Sequence, residues 1–163
     1  MKEVYGNIFD LPEKRDGTEA ICVTTNGMIR NDGKAVMGAG VAKAFRDKYY
    51  GIDILLARHL RENGNVPANL GIYDGCYVLT FPTKNNWMYS SDINLIEQSA
   101  IMIKKLADDL NLSTIYLPKP GCTNGHLNWE DVEKVISKHL DERFVIVEKT
   151  APVLEKDNQD FER

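Results

Sequence analysis

The chain has 163 residues, 43% of them apolar and 27% charged, and a formal net charge of −4. That length suits one domain with a core of its own, and the charge excludes a globally basic nucleic-acid binder while leaving a local basic patch open. Cys22, Cys76 and Cys122 are too scattered for a disulfide framework or zinc site, His59, His126 and His139 form no metal-ligand pair, and no run reaches membrane-spanning length, so a cytoplasmic protein with no membrane partner is expected.

Lys2–Tyr5 predicts a short strand ending at Gly6, and the polar stretch Leu11–Gly17, with Pro12, a loop. Ala20–Thr25 (AICVTT) is apolar and β-branched, which predicts a buried strand with Cys22 as a small core residue. Asn26–Gly40 is rich in Gly, Asn and Asp and reads as a long surface loop. Helices follow over Val41–Tyr49 and Ile52–Glu62, the second with Ile52, Leu55, Leu56 and Leu60 on one face. Leu70–Phe81 is a hairpin turning at Asp74-Gly75, with Pro82 expected to stop its second strand.

Asp92–Leu110 is the longest helix, with Ile93, Ile96, Ala100, Ile103, Leu106, Ala107 and Leu110 at helical spacing. Thr114–Leu117 is a buried strand closed by Pro118. Asn128–Leu140 reads as a helix with Asn128 as N-cap and Asp131 in the reciprocal third position. Phe144–Glu148 is the last strand. Residues 1–150 then form one domain and 151–163 a polar tail. The alternation of strands and helices predicts an α/β fold with a largely parallel sheet and an antiparallel hairpin at one edge.

Two glycine-rich loops carry the functional signal. In GKAVMGAGVAKAF (Gly33–Phe45) bare backbone runs directly into a helix, whose free N–H groups and partial positive charge suit an anion. The stretch lacks the third glycine of a dinucleotide fingerprint and the Lys-Ser or Lys-Thr of a P-loop, so a plain strand-to-helix connection stays open. The second, LPKPGCTNGHLNW (Leu117–Trp129), also leaves a strand and enters a helix, although Pro118 and Pro120 would force a turn there in any case. Both fall where an open α/β sheet binds ligands, beyond the carboxyl ends of the strands.

With Tyr5-Gly6-Asn7-Ile8 near the start, Val36-Met37-Gly38-Ala39-Gly40-Val41-Ala42 in the middle and Pro118 through Trp129 late, the chain resembles the macro domain family from about residue 4 to 147. The resemblance implies a three-layer fold with a mixed, largely parallel sheet between helices, and a cleft for ADP-ribose. Phe81-Pro82-Thr83-Lys84 and Asn124-Gly125-His126-Leu127-Asn128-Trp129 are most similar to the branch holding the terminal ADP-ribose protein glycohydrolase and the antitoxin that strips ADP-ribose from thymidine in DNA. In that branch the Thr-Lys carries the catalytic lysine, here Lys84. The protein glycohydrolase has an acidic residue where this chain has Gly125, whereas the thymidine-type branch has glycine. Asn7 stands where the family commonly has Asp.

On that resemblance, Asn7 and Ile8 lie near the adenine; Asn26, by its place just past a strand end, is expected to hydrogen-bond the distal ribose. Main-chain N–H groups around Gly38, Ala39, Gly40 and Val41 and around Thr123, Asn124, Gly125, His126 and Leu127 are expected to hold the diphosphate, and Met37, Pro118, Gly121 and Cys122 complete the expected ADP-ribose-binding set. Lys84 is expected to stabilise the leaving group or to attack the anomeric carbon as an amine; a solvated loop lysine is the plainer reading. Trp87, Met88 and Tyr89 form a wall, a gate or a simple plug before the long helix. Trp129 is expected to pack inward, and Lys34 and Lys119 flank the two loops.

No cofactor is implied. The expected partners are ADP-ribose or an ADP-ribosylated protein or DNA, with a toxin as a further implication, and a monomer is expected. An ADP-ribosyl glycohydrolase, a non-catalytic ADP-ribose reader and an ADP-ribose 1″-phosphate phosphatase share this cleft, with His126 nominated for the last. An unrelated nucleotide-binding α/β protein is the alternative outside the family.

Overall fold

The computed structural model describes residues 1–149; the expected tail at 151–163 lies outside the described residues. In chain order the elements are β1 (Lys2–Tyr5), β2 (Glu19–Asn26), α1 (Gly40–Lys48), α2 (Ile52–Asn63), β3 (Asn69–Tyr73), β4 (Cys76–Lys84), α3 (Ile93–Asp109), β5 (Thr114–Pro118), α4 (Trp129–Ile136) and β6 (Phe144–Glu148). The strands form one six-stranded sheet in the order β1-β6-β5-β2-β4-β3. All pairs are parallel except β3 with β4, the predicted hairpin.

The central strands are apolar on both faces because helices cover both. Ile21 and Val23 of β2, Tyr116 of β5 and Val145 and Val147 of β6 pack with Phe45 of α1 and Ile52, Leu56 and Ala57 of α2. The alternate residues, Ala20, Cys22, Ile115, Leu117, Phe144 and Ile146, face Ile96, Ala100, Ile103 and Ala107 of α3 and Val132 and Ile136 of α4. A period of two along the strands meets a period near four along the helices, and three layers result.

Local signals set the element ends. Asp74 and Gly75 both take positive φ, 51° and 79°, the paired left-handed conformation that closes a two-residue hairpin. Asp92 caps α3 by accepting from the Asn94 and Leu95 amides. Two expectations fail. Pro82 does not stop β4, which runs on to Lys84. There β3 has ended: the Thr80 amide donates to Ala68 O at 2.9 Å, and two residues past Pro82 the Lys84 carbonyl accepts from Asn65 Nδ2 at 2.9 Å. The proline ring thus sits on the outer side of the strand at a position with no ladder bond to lose. Likewise α4 stops at Ile136 rather than Leu140, and Asn128 caps it through the Glu130 amide without a reciprocal bond from Asp131.

Arg143 joins the start of β6 to the end of α3: its Nη2 donates to Asp141 Oδ2 at 2.7 Å and Asp108 Oδ1 at 2.6 Å. Hydrogen bonds from this guanidinium hold both carboxyls below their usual pKa. A depressed carboxylate pKa adds stability above its unfolded value and loses it as pH falls through the folded one. Arg143→Met is therefore expected to lower Tm by roughly 2–4 °C at pH 7 and to converge with the parent in strong acid. Thermal melts from pH 7 to 2 check this; parallel curves would dissociate the network from acid stability.

Candidate functional site

A cleft of about 900 Å³ opens where β1, β2, β4, β5 and β6 end, so residues just past the strand ends line it: Gly6 and Asn7, Thr25 and Asn26, Thr83 and Lys84, Pro118, and Glu148 with Lys149. This is the ligand-binding edge of an open parallel sheet.

The first glycine loop enters α1 with no side-chain cap at Ala39. Among the described residues the amides of Gly38 through Ala42 find no protein acceptor. Gly40 takes a φ of 58°, which favours glycine. The second loop turns at Gly121, φ 74°, and closes through a 2.9 Å bond from the Leu127 amide to Gly121 O. The two loops touch: a Cβ on Gly40 would lie 2.7 Å from Asn124 Nδ2. Segments some eighty residues apart thus converge on one groove, each with main-chain donors to offer an anion.

Lys84 lies at this junction. Its Nζ donates to Asn124 O at 3.0 Å and Trp87 O at 3.4 Å, and the residue lines the cleft. Its carbonyl and its neighbour are fixed by Asn65, whose Nδ2 donates to Lys84 O and to Asn85 Oδ1. The lysine that the Thr-Lys motif nominated is therefore tied to the second glycine loop, not solvated at random.

Of the other nominated residues, Asn7, Ile8, Asn26, Gly38, Ala39, Gly40, Val41, Pro118, Gly121, Thr123, Asn124 and Gly125 line the same cleft. Asn7 pins its turn, with Oδ1 accepting from the Phe9 amide at 3.0 Å. Asn26 is already engaged: Nδ2 donates to Val36 O at 3.1 Å and Oδ1 accepts from the Met28 amide at 3.0 Å, so it shapes the loop behind the cleft. Met37, Cys122, His126 and Leu127 are not in the lining. Met37 is buried in the core beneath α1 and α2, and Cys122 and Leu127 pack toward α3 and α4. The Leu127 amide, spent on Gly121 O, is not available to a ligand. His126 is exposed, at a φ of 62°.

Burial raises the Cys122 thiol pKa to about 11 and that of Cys22 further still. Raised in this way, both thiols are disfavoured as thiolates near neutral pH, which speaks against a nucleophilic role. Iodoacetamide at pH 8 is expected to leave Cys22 unmodified and to label Cys122 far more slowly than a free thiol, as read by intact mass; rapid labelling of Cys122 would contradict this.

Sequence reasoning missed Phe9, Thr25 and Ser91, all in the lining. Phe9 follows the Asn7-Ile8 turn and stacks near Phe45, with centroids 4.7 Å apart. Ser91 is 8% exposed; its amide donates to Gly125 O at 3.0 Å, and its hydroxyl lies against Gly125. Thr25 Oγ1 and Ser91 Oγ have no hydrogen-bond partner among the described residues. Lys119 is no spare cation: it pairs with Glu3 at 3.4 Å and Glu148 at 3.3 Å and lies over Trp129, while Lys34 is outside the lining.

A three-layer α/β domain whose glycine loops meet over a lysine at the carboxyl edge of a mixed sheet is the class that fold and site define. No family model matches the chain. It is 30% identical over 127 residues to the DNA ADP-ribosyl glycohydrolase of Mycobacterium tuberculosis, covering 74% of this chain and 34% of that protein. It thus spans little more than a third of the length of the curated relatives it matches. Among solved structures it resembles the macrodomain of M. tuberculosis DarG, with a TM-score of 0.69 and 27% identity over 91% of this chain and 98% of that one. The macrodomain of Thermus aquaticus DarG matches with a TM-score of 0.69 and 26% identity, over 93% and 97%. In sequence and in fold the chain thus resembles the macrodomains of DNA ADP-ribosyl glycohydrolases.

Proposed function

We propose that the protein binds ADP-ribose in this cleft and hydrolyses ADP-ribosyl linkages, releasing ADP-ribose from a nucleic-acid base or an acidic side chain, with DNA as the favoured acceptor. The observation that carries the reading is Lys84 Nζ, 3.0 Å from Asn124 O, placed where two loops of main-chain donors meet. The likeness to proteins named DNA ADP-ribosyl glycohydrolase supports the choice of chemistry.

In this reading the adenine lies by Asn7, Ile8 and Phe9, and the diphosphate rests on the amides of Gly38–Val41 and Gly121–His126. The distal ribose then reaches Lys84. There the ammonium stabilises charge on the departing group; or the neutral amine attacks the anomeric carbon as its bond to the base or carboxylate breaks, the leaving group takes up a proton, and water then cleaves the new carbon–nitrogen bond to return the lysine and free ADP-ribose. A cytoplasmic monomer working against a toxin that attaches ADP-ribose completes the proposal.

A non-catalytic reader is the second reading, favoured by Gly125: a Cβ there would collide with Ser91 Oγ and lie 2.5 Å from Gly121 O, so no carboxylate fits at that point. The phosphatase reading has no residue to support it once His126 lies outside the lining.

Calorimetry with free ADP-ribose, beside a turnover assay on an ADP-ribosylated thymidine oligonucleotide, tests the proposal. One-to-one binding with release of ADP-ribose is expected; binding without release leaves the reader, and no binding overturns both. Because amides replace cations in the grip, affinity is expected to change less than about threefold between 0.05 and 0.5 M salt. A steep salt dependence would assign the grip to lysines instead.

A further inference from the structure

Trp87, Met88 and Tyr89 are consecutive and 54%, 66% and 68% exposed, a large apolar surface for one loop to give to water. The loop is fixed at several points. Asn86 Oδ1 accepts from the Met88 amide at 2.9 Å, and the Tyr89 amide donates to Asn86 O at 3.2 Å. The Trp87 carbonyl accepts from Lys84 Nζ, and Ser91 N donates to Gly125 O at 3.0 Å. Trp87 itself lines the cleft. The aromatic loop is therefore the rim of the cleft beside the lysine, held in shape before any partner arrives.

We propose that Trp87 and Tyr89 form a stacking platform for unpaired nucleic-acid bases: the base carrying the ADP-ribose and its neighbour on a single strand. The inference rests on the functional reading above. With the distal ribose at Lys84, whatever is attached to its anomeric carbon leaves the cleft past Trp87. From Asn85 to Ser91 the segment reads NNWMYSS and carries no charge, so it offers flat faces and amide groups rather than phosphate contacts. Of the lysines lining the cleft, Lys119 is already paired with Glu3 and Glu148 and is not free to follow a strand's backbone. Base stacking tolerates any sequence and suits a short single-stranded target, whereas a duplex would bury its bases away from the rim.

The test uses the Lys84→Ala protein, which is expected not to turn the substrate over, and compares its affinity for an ADP-ribosylated single-stranded decanucleotide with that for free ADP-ribose. The oligonucleotide is expected to bind roughly five- to fiftyfold tighter. Adding Trp87→Ala should reduce that ratio to near one, Tyr89→Ala should lower it in part, and Trp87→Phe should keep most of it. A ratio near one in the Lys84→Ala protein, or a ratio that Trp87→Ala leaves intact, overturns the platform. So does an ADP-ribosylated peptide that shows the same gain and the same loss, which would make the rim a protein surface. Failure of the functional reading looks different: the parent protein then releases no ADP-ribose, while the affinity ratio is still measurable and decides the platform.

Discussion

Lys84→Ala is expected to slow release of ADP-ribose from an ADP-ribosylated substrate by roughly 10²–10⁴-fold, the usual loss when a group acting on the reacting bond is removed. Free ADP-ribose affinity should survive within about tenfold. That residual loss has a structural source, because the ammonium also donates to Asn124 O and Trp87 O, and hydrogen bonds of this kind contribute about 1 kcal/mol. Lys84→Arg separates the two chemical roles: it keeps a positive charge near the leaving group but cannot act as a neutral amine. Recovery of more than a tenth of the parent rate in the arginine variant would favour charge stabilisation, and none would favour attack. Single-turnover rates beside calorimetry give the answer. A Lys84→Ala protein as active as the parent would remove the lysine from the chemistry altogether.

Gly125→Ala is expected to be the most damaging single-methyl change in the cleft. A Cβ at this position overlaps Ser91 Oγ and comes within 2.5 Å of Gly121 O, which is main chain and cannot swing aside. Overpacking of this sort costs about 1–3 kcal/mol, or roughly 3–10 °C in Tm for a chain of this size. The larger consequence is for binding, since the displaced segment carries the amides proposed to hold the diphosphate, and ADP-ribose should no longer raise Tm. Ser91→Gly in the Gly125→Ala background removes one of the two obstructions and should restore part of the melting temperature. Equal melting temperatures and equal ADP-ribose affinity in Gly125→Ala and the parent would show that the loop has slack. The same collision bears on evolution of the site: an acid cannot be introduced at residue 125 without first clearing Ser91.

What could be read without coordinates follows from the range of the forces involved. Strand β2, helix α3 and the hairpin turn are specified by neighbours within a few positions, through apolar alternation, helical spacing and the Asp74-Gly75 pair, and the structure places them within a residue or two of expectation. The two loops were visible because glycine clusters next to a helix start are a local signal. Lys84 needed the family likeness, since a lysine after Phe-Pro-Thr carries no distinctive local mark. Ser91 had none either: its place in the cleft depends on Gly125, far along the chain, and on a void that only the folded loop leaves. Met37 misled for the opposite reason. It sits within the glycine motif, but its side chain points into the core, where an apolar residue gains more than at a wet rim. Pro82 misled because a stop signal in sequence is conditional on a partner strand, and here the partner had already ended.

That location of Pro82 has a bearing on how the molecule behaves when crowded. Beyond Thr80 the flank of β4 is finished by a ring that cannot donate and by the Asn65 amide on the Lys84 carbonyl, while β3 beside it is five residues long and breaks register between Asn69 and Ile72. A second copy approaching this margin edge-on would find neither a straight row of donors nor an even spacing to pair with. The stretch that delivers the lysine to its post is thereby also shielded from fibril-like growth, and high concentration should not by itself seed it.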